Sequence, residues 1–144
     1  MTSTVVYDEN LRTVCTHVKS QTRIETDAPP DNQGKGDRFS PTDLVATGLA
    51  TCMLTIMGIK ARDMEVDLKG VEVDVEKIME SNPRRIGGIN LTFHFPDNFK
   101  ATSKEKVILE RAALTCPVYY SIHPDIKVNV NFNLGNEQLS KEAI

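Results

Sequence analysis

Three cysteines are the most reactive side chains in this 144-residue sequence: Cys15, Cys52 and Cys116. A deprotonated thiol is a strong nucleophile, and it can be oxidised and reduced again. The odd number and wide spacing of these cysteines match neither a disulfide scaffold nor the closely spaced pairs of a zinc knuckle. Each cysteine is therefore expected to be either a packed core residue or a chemically active thiol.

The other candidates for chemistry are weaker. Cys15 falls in a predicted strand where a small apolar residue would serve, so inert packing is expected. The three histidines, His17, His94 and His123, lack the short spacing of a zinc site, which favours structural or surface roles. We therefore expect no metal and no bound cofactor.

Composition limits the class of protein. The sequence is 40% hydrophobic and has no long linker, which predicts one domain over residues 1–144. The net charge of -3 and the absence of a basic stripe make nucleic acid a poor partner. The first residues lack the charged and apolar regions of a secretory signal, so a cytoplasmic location is expected.

Cys52 falls within a predicted helix that has a strong start signal. Ser40 can cap the helix, Pro41 suits its first turn, and Asp43 follows the cap by three residues. The helix is expected to cover Leu44 to about Ala61.

This helix is apolar or small on nearly every face, which is typical of a helix buried by other elements or by lipid. Its uncharged run, Leu44 to Ile59, has 16 positions and falls short of the roughly 20 that span a bilayer. A central core helix is therefore predicted, with no membrane partner.

Cys116 is expected at the carboxyl end of a second predicted helix, which Pro117 ends. Thr102 and Glu105 have the spacing of a capping box, and a short helical turn is expected to continue to Ile122. If the two helices pack together, their thiols could reach the Cα separation of about 5.5–6 Å that a disulfide requires.

Alternating apolar residues predict the strands of an α+β fold rather than a parallel βαβ fold. Residues 71–76 and 89–95 should pair antiparallel through a turn over Ser81 to Gly88, and the tail from Gly135 to Ile144 is expected to form a loose helix or to fray. The remaining strands are Thr4–Tyr7, Leu11–Val18, Thr22–Thr26 and Ile126–Leu134.

Two segments resemble the signature regions of the OsmC/Ohr family, whose names stand for osmotically inducible protein C and organic hydroperoxide resistance. They are Ser40-Pro41-Thr42-Asp43-Leu44 through Ala50-Thr51 to Cys52, and Thr115-Cys116-Pro117-Val118 through Ile122-His123-Pro124. The resemblance implies an OsmC-like fold with antiparallel sheets wrapped around two long central helices. It also implies an intertwined homodimer with two active sites at the subunit interface, where Tyr119 and Tyr120 would pack near the seam.

The family chemistry is thiol peroxidation, in defence against oxidative stress. By resemblance, Cys52 attacks the peroxide and becomes a sulfenic acid, and Cys116 then condenses with it to form a disulfide. A dithiol such as a lipoyl group is the implied reductant. An apolar wall formed by Leu49, Met53 and Leu114 would favour organic hydroperoxides over hydrogen peroxide.

The groups that should activate Cys52 are less clearly marked. Well-known relatives place a glutamate ten residues before the reactive cysteine, where this chain has Thr42. Asp43 either replaces that glutamate or only caps the helix. Arg38 is the first candidate for the activating cation because it lies in the loop before the helix, and Arg12 is the alternative. Both arginines could equally be solvated surface charges.

Two rival functions remain open. The first is a non-enzymatic dimer of the same fold that binds a small apolar ligand or senses oxidants, since the acid position is altered. The second is a cysteine hydrolase in which His17 or His123 activates Cys52, which would require the base within hydrogen-bond reach of the thiol.

Overall fold

The computed structural model describes residues 1–134 and the backbone of residues 138–142. Contacts within the chain group into two compact units, residues 1–45 and residue 46 onward. The prediction of a single domain over residues 1–144 stays a prediction.

The first unit holds a three-stranded antiparallel sheet in the order β1-β2-β3. The first two strands form a hairpin, and in its turn Asn10 and Leu11 adopt the left-handed conformation, with φ of 57° and 64°. A loop with one short 3₁₀ turn follows the sheet. The strands are β1 (Ser3–Tyr7), β2 (Arg12–His17) and β3 (Arg23–Asp27).

Helix α1 covers Pro41–Asp63 and begins as predicted. The backbone N–H of Ser40 donates to the Asp43 carboxylate (2.9 Å), and the backbone N–H of Asp43 donates to the Ser40 hydroxyl (3.0 Å). This reciprocal pair satisfies two amide groups that the first turn would otherwise leave without a partner. The observed helix is two residues longer than expected at its carboxyl end.

Helix α1 is long and apolar enough to cross a membrane when all of its 23 residues are considered. The count of 16 uncharged positions therefore did not exclude a membrane span. The buried side chains of α1 instead join the core of the second unit, where they pack with the inner face of a sheet. The core-helix prediction is confirmed by these contacts. The buried residues of α1 are Ala46, Leu49, Ala50, Met53, Met57 and Ala61.

The second unit contains a four-stranded sheet in the order β4-β5-β6-β7. The pairs β4-β5 and β6-β7 are antiparallel, which confirms the predicted pairing of residues 71–76 with 89–95, but β5 and β6 are parallel, so the expectation of antiparallel sheets was wrong for this one pair. The helices between β5 and β6 return the chain to the starting end of the sheet, which makes a parallel pair possible. The strands are β4 (Glu72–Ser81), β5 (Arg84–His94), β6 (Lys127–Asn133) and β7 (Gln138–Glu142).

Two local predictions in this unit were also wrong. The turn between β4 and β5 contains only Asn82 and Pro83, while Gly87 and Gly88 lie inside β5. The tail forms β7 on the edge of β6 rather than a loose helix, because the unpaired edge of β6 offers it a hydrogen-bonding partner. The remaining tail positions, 135–137 and 143–144, lie outside the described residues.

Helices α2 (Ser103–Ala113) and α3 (Pro117–Ser121) connect β5 to β6. The predicted capping box is confirmed: the Glu105 carboxylate accepts the backbone N–H of Thr102 (2.7 Å), and the Thr102 hydroxyl accepts the backbone N–H of Glu105 (3.3 Å). Since α2 has 11 residues and α1 has 23, α1 is the long helix of the described part of the chain. Two long central helices would therefore need a second subunit.

The core of the second unit lies between the sheet and the helices. The rings of Phe93 on β5 and Phe132 on β6 occupy facing register positions and stack with their centroids 4.8 Å apart. Both side chains are fully buried. This stack fixes the parallel pair from which the helix crossover departs and to which it returns.

Candidate functional site

Cys52 and Cys116 are brought together in the second unit. Cys52 lies midway along α1 and is partly exposed, whereas Cys116 is fully buried in the core cluster. Cys52 packs against the core cluster that contains Cys116 and lies near enough to raise the pKa of the Cys116 thiol, and both thiols are free in this structure. A pair separated by more than sixty positions in the chain therefore forms one dithiol site.

The structure places Cys116 differently from the sequence prediction. This residue is not the end of α2 but the N-cap of α3, with an extended backbone (φ -72°, ψ 143°) and Pro117 at the first helical position. Its sulfur accepts the backbone N–H of Tyr119 at 3.3 Å. The cap role was hidden because cysteine is not among the usual capping residues.

Burial raises the pKa of the Cys116 thiol, and the neighbouring Cys52 raises that pKa further. The N–H groups of Tyr119 and Val118 act in the opposite direction without reversing the shift. Cys116 is therefore a neutral thiol near pH 7 rather than the reactive thiolate. Of the two sulfurs, the partly exposed one is better placed to meet a reagent from solvent.

The apolar residues predicted around the thiols lie in the expected region. Leu49 and Met53 are fully buried in the cluster that also contains Cys116, and Leu114 packs against that cluster. These contacts make the surroundings of the dithiol dry and apolar on the protein side.

A cavity of about 480 Å³ lies along α3 and the turn that follows it. Tyr119 and Tyr120 line it and contact each other edge to face, with ring centroids 5.8 Å apart. His123 also lines it, and its Nδ1 accepts the backbone N–H of Asp125 at 3.1 Å. Tyr119 thus lines this cavity and also donates its backbone N–H to the Cys116 sulfur.

Arg12 forms a two-point ion pair in the first unit. Its Nε and one terminal nitrogen donate to the two carboxylate oxygens of Asp27, at 2.7 and 2.8 Å. Asp27 is 3% exposed, and it also accepts the backbone N–H of Asp37 at 3.1 Å. The guanidinium holds the pKa of the Asp27 carboxyl below its usual range, and the carboxylate in turn raises the pKa of Arg12.

The sequence reasoning missed Asp27. The available signal was the pairing of β2 with β3, which places residues 12 and 27 at opposite register positions. Opposite charges at such positions attract, but the register cannot be read before the sheet is known.

Arg38 has a looser environment. Its Nε donates to the Glu25 carboxylate at 2.8 Å, and a terminal nitrogen donates to the backbone carbonyl of Asp37 at 3.0 Å. The side chains of this pair are 47% and 41% exposed. An ion pair so open to water stabilises the fold little. Arg38 is thus held weakly and Arg12 strongly.

Asp43 is engaged as a helix cap, as described for the start of α1. The hydroxyl of Thr42 lies 3.1 Å from that of Ser40, so the position of the missing glutamate also takes part in the polar network at this helix start. The capping role of Asp43 is confirmed by these distances, while its role towards the thiol stays a prediction.

The histidines and Cys15 have local partners. His17 contacts the Ser20 hydroxyl, and His94 contacts the Asp74 carboxylate. Cys15 is half-buried in the middle of β2, with Val5 and Ile24 at the facing positions of the neighbouring strands. Within residues 1–134, no cluster of three or more potential metal ligands forms.

Comparison with known proteins places these features in a family context. A sequence model of the OsmC-like protein family matches residues 34–131, which include both Cys52 and Cys116. A comparison with curated proteins gave no match.

Solved structures with the same fold include a protein from Psychrobacter arcticus 273-4, provisionally named as an osmotic stress induced and detoxification response protein. It is 52% identical, with a TM-score of 0.87, over 92% of this chain and 95% of that chain. An OsmC-like protein from Mycoplasma pneumoniae is 23% identical, with a TM-score of 0.73, over 90% and 93% of the two chains. An organic hydroperoxide resistance protein from Legionella pneumophila is 18% identical, with a TM-score of 0.70, over 92% and 96%.

Proposed function

Since this chain belongs to the OsmC-like protein family, we propose that it is a thiol peroxidase that reduces organic hydroperoxides with Cys52 and Cys116. The observation that carries the proposal is the proximity of a partly exposed thiol and a fully buried one within the same core cluster. The name of the Legionella relative agrees with this substrate class. The role would be oxidative-stress defence in the cytoplasm.

The proposed cycle needs no metal or bound cofactor. The Cys52 thiolate attacks the outer peroxide oxygen, the O–O bond breaks, and an alcohol leaves as Cys52 becomes a sulfenic acid. The Cys116 thiol then attacks the Cys52 sulfur and releases water, which leaves a disulfide. An external dithiol of the lipoyl type returns both cysteines to thiols by taking up the oxidising equivalents.

We assign the activating cation to Arg38, with Arg12 as the alternative. Because the exposed pair of Arg38 with Glu25 stabilises the fold little, exchanging Glu25 for another anionic partner would cost the fold little. Arg12 is held on both sides of a buried carboxylate, which favours a structural role. Asp43 would assist by fixing the start of the helix that carries Cys52.

A homodimer is part of the proposal. The exposed side of α1 presents a row of small residues, Gly48, Thr51, Thr55 and Gly58, and the two threonine hydroxyls donate to carbonyls of the helix itself. A row of this kind allows a second helix to approach closely. In the first unit, β1 is exposed along its whole length, and its Val5, Val6 and Tyr7 are each more than 60% exposed. Apolar surface of this extent is typical of an interface.

The dimer is tested by enlarging that row. A Cβ at Gly48 or Gly58 meets nothing within 4 Å in the chain itself, so Gly48→Leu and Gly58→Leu should leave the subunit folded and weaken the dimer. Sedimentation equilibrium reports the mass, and Val107→Leu on α2 serves as the control. A wild-type protein that remains monomeric at micromolar concentration would contradict the homodimer.

The peroxidase is tested by thiol counting and intact mass. Reduced protein is mixed with an organic hydroperoxide, for wild type, Cys52→Ser and Cys116→Ser, with Cys15→Ser as the matched control. Wild type and the control should each lose two protons and two free thiols, Cys116→Ser should accumulate oxidised Cys52, and Cys52→Ser should not react. Unchanged thiols in wild type would refute the peroxidase.

One observation favours the non-enzymatic alternative. Arg12 and Arg38 each contact a carboxylate in this structure, and Thr42 stands where relatives place glutamate. A dimer that binds an apolar ligand in the cavity along α3, or that senses oxidants, would need neither arginine. The rate at which Cys52 reacts with peroxide distinguishes the peroxidase from the non-enzymatic dimer. Only the peroxidase predicts a slower reaction when the activating arginine is lost, in Arg38→Ala or in Arg12→Ala.

A further inference from the structure

The two sulfurs of the dithiol site differ in access to solvent. Cys116 is 0% exposed, and the residues that bury it belong to its own chain. Association with a second subunit can only add cover, so Cys116 stays buried in any assembly. Cys52 is partly exposed in the chain.

Thiol exchange with a disulfide occurs at one sulfur and expels the other. Which sulfur is attacked depends on access, on the approach direction and on how readily the other sulfur leaves. Once Cys52 and Cys116 are joined, an incoming thiol meets one open sulfur and one that is covered by core side chains.

We infer that the external dithiol which reduces the oxidised protein attacks Cys52 and expels Cys116, so that the mixed disulfide forms only on Cys52. This inference rests on the proposed function and specifies how its reductant is used. It excludes a reductant that must attack Cys116 first.

Reduction proceeds in two exchange steps. A thiolate of the dithiol bonds to the Cys52 sulfur, and the electron pair of the Cys52–Cys116 bond passes to the Cys116 sulfur, which takes up a proton. The second thiol of the dithiol then attacks its partner sulfur and expels Cys52. Two electrons and two protons pass to the protein, and the reductant leaves as a cyclic disulfide.

The local structure supports Cys116 as the leaving sulfur. The backbone N–H of Tyr119, 3.3 Å away, faces the charge that develops as the bond breaks. The raised pKa of Cys116 makes it a slower leaving group, so access to the sulfurs must set the order of attack; once released, the Cys116 sulfur readily takes up a proton. A protonated thiol is a weaker nucleophile than a thiolate, so the return attack of Cys116 on the mixed disulfide is slowed.

The experiment traps the mixed disulfide with a monothiol, which cannot complete the second step. Full-length protein is oxidised with diamide, which joins the cysteines without any peroxidase activity, and is then exposed briefly to 2-mercaptoethanol and quenched in acid. The released thiol is blocked with N-ethylmaleimide. Trypsin then separates the three cysteines into the peptides Thr13–Lys19, Phe39–Lys60 and Ala112–Lys127.

Mass spectrometry should show mercaptoethanol on Cys52 and maleimide on Cys116, with an excess of roughly tenfold or more over the opposite pattern. The same protein oxidised and then unfolded in concentrated urea is the control, in which the preference should fall to within about twofold because burial is lost. Three results would each overturn the inference. They are mercaptoethanol on Cys116 in the folded protein, no mixed disulfide at all, or a preference for Cys52 in urea as large as in the folded protein.

The outcome is separable from that of the proposed function. If peroxide fails to form the disulfide but diamide forms it, the peroxidase is refuted while the order of attack is still measured. If diamide also fails to join the two cysteines, both proposals are lost.

Discussion

The stack of Phe93 and Phe132 offers the sharpest test of how the fold supports the dithiol site. Phe132→Ala removes a ring that is 1% exposed and lies against another that is 0% exposed. Replacing a buried phenylalanine by alanine costs about 3–5 kcal/mol, and the lost ring pair adds about 0.5–1.5 kcal/mol. This is a large part of the roughly 5–15 kcal/mol that stabilises a typical domain.

Urea unfolding at a fixed protein concentration measures the loss. With a denaturant slope of about 2 kcal/mol per molar urea, a loss of 4 kcal/mol lowers the midpoint by about 2 M. Phe132→Leu is the matched control, because it keeps most of the apolar volume and should cost less than about 1.5 kcal/mol.

Phe132→Ala should also make Cys116 more accessible to reagents. Helices α2 and α3 leave from β5 and return to β6, so loosening β6 frees the segment that buries Cys116. Alkylation of Cys116 by iodoacetamide under native conditions should become faster in Phe132→Ala than in Phe132→Leu. A midpoint shift below about 0.5 M for Phe132→Ala, or no difference between the two variants, would refute the role assigned to the stack.

Three further predictions concern local structure. Asp27→Asn should weaken the dependence of stability on pH in the acid range. The lowered pKa of folded Asp27 stabilises the protein above the ordinary aspartate pKa of about 3.9, and this stabilisation is lost as the pH falls through the folded pKa. Thermal unfolding from pH 2 to 7 measures it, and the same dependence of melting temperature on pH in both proteins would contradict it. Gly34→Ala should destabilise the protein by about 1–3 kcal/mol, since its Cβ would lie 1.7 Å from the Ala28 carbonyl oxygen; an unchanged melting temperature would argue against this loop geometry. Thr102→Ala should cost about 1 kcal/mol through loss of the α2 cap, whereas Thr102→Ser keeps the hydroxyl and should cost much less; equal unfolding midpoints would disprove the cap.

The elements that depend on neighbouring residues were predictable. The caps at Ser40 and Thr102 are signalled by side chains three positions apart, and a helix start requires no information from elsewhere in the chain. The strands were likewise visible, because alternation of apolar and polar residues reflects the two faces of one strand. The two family motifs around Cys52 and Cys116 also identified the pair.

The features that depend on distant partners were not predictable in this way. The parallel pairing of β5 with β6 and the addition of β7 at the edge are decided by which strands meet, not by the pattern within a strand. The bidentate contact of Arg12 with Asp27 follows from the register of β2 against β3.

The sequence by itself predicted an α+β fold with a buried helix and, through two family motifs, a pair formed by Cys52 and Cys116. Only the tertiary structure decided how the two sulfurs differ. Burial is a property of everything packed around an atom, so no local pattern could reveal that Cys116 is closed off and Cys52 is open. That difference in access determines which sulfur is expected to meet the peroxide and the reductant.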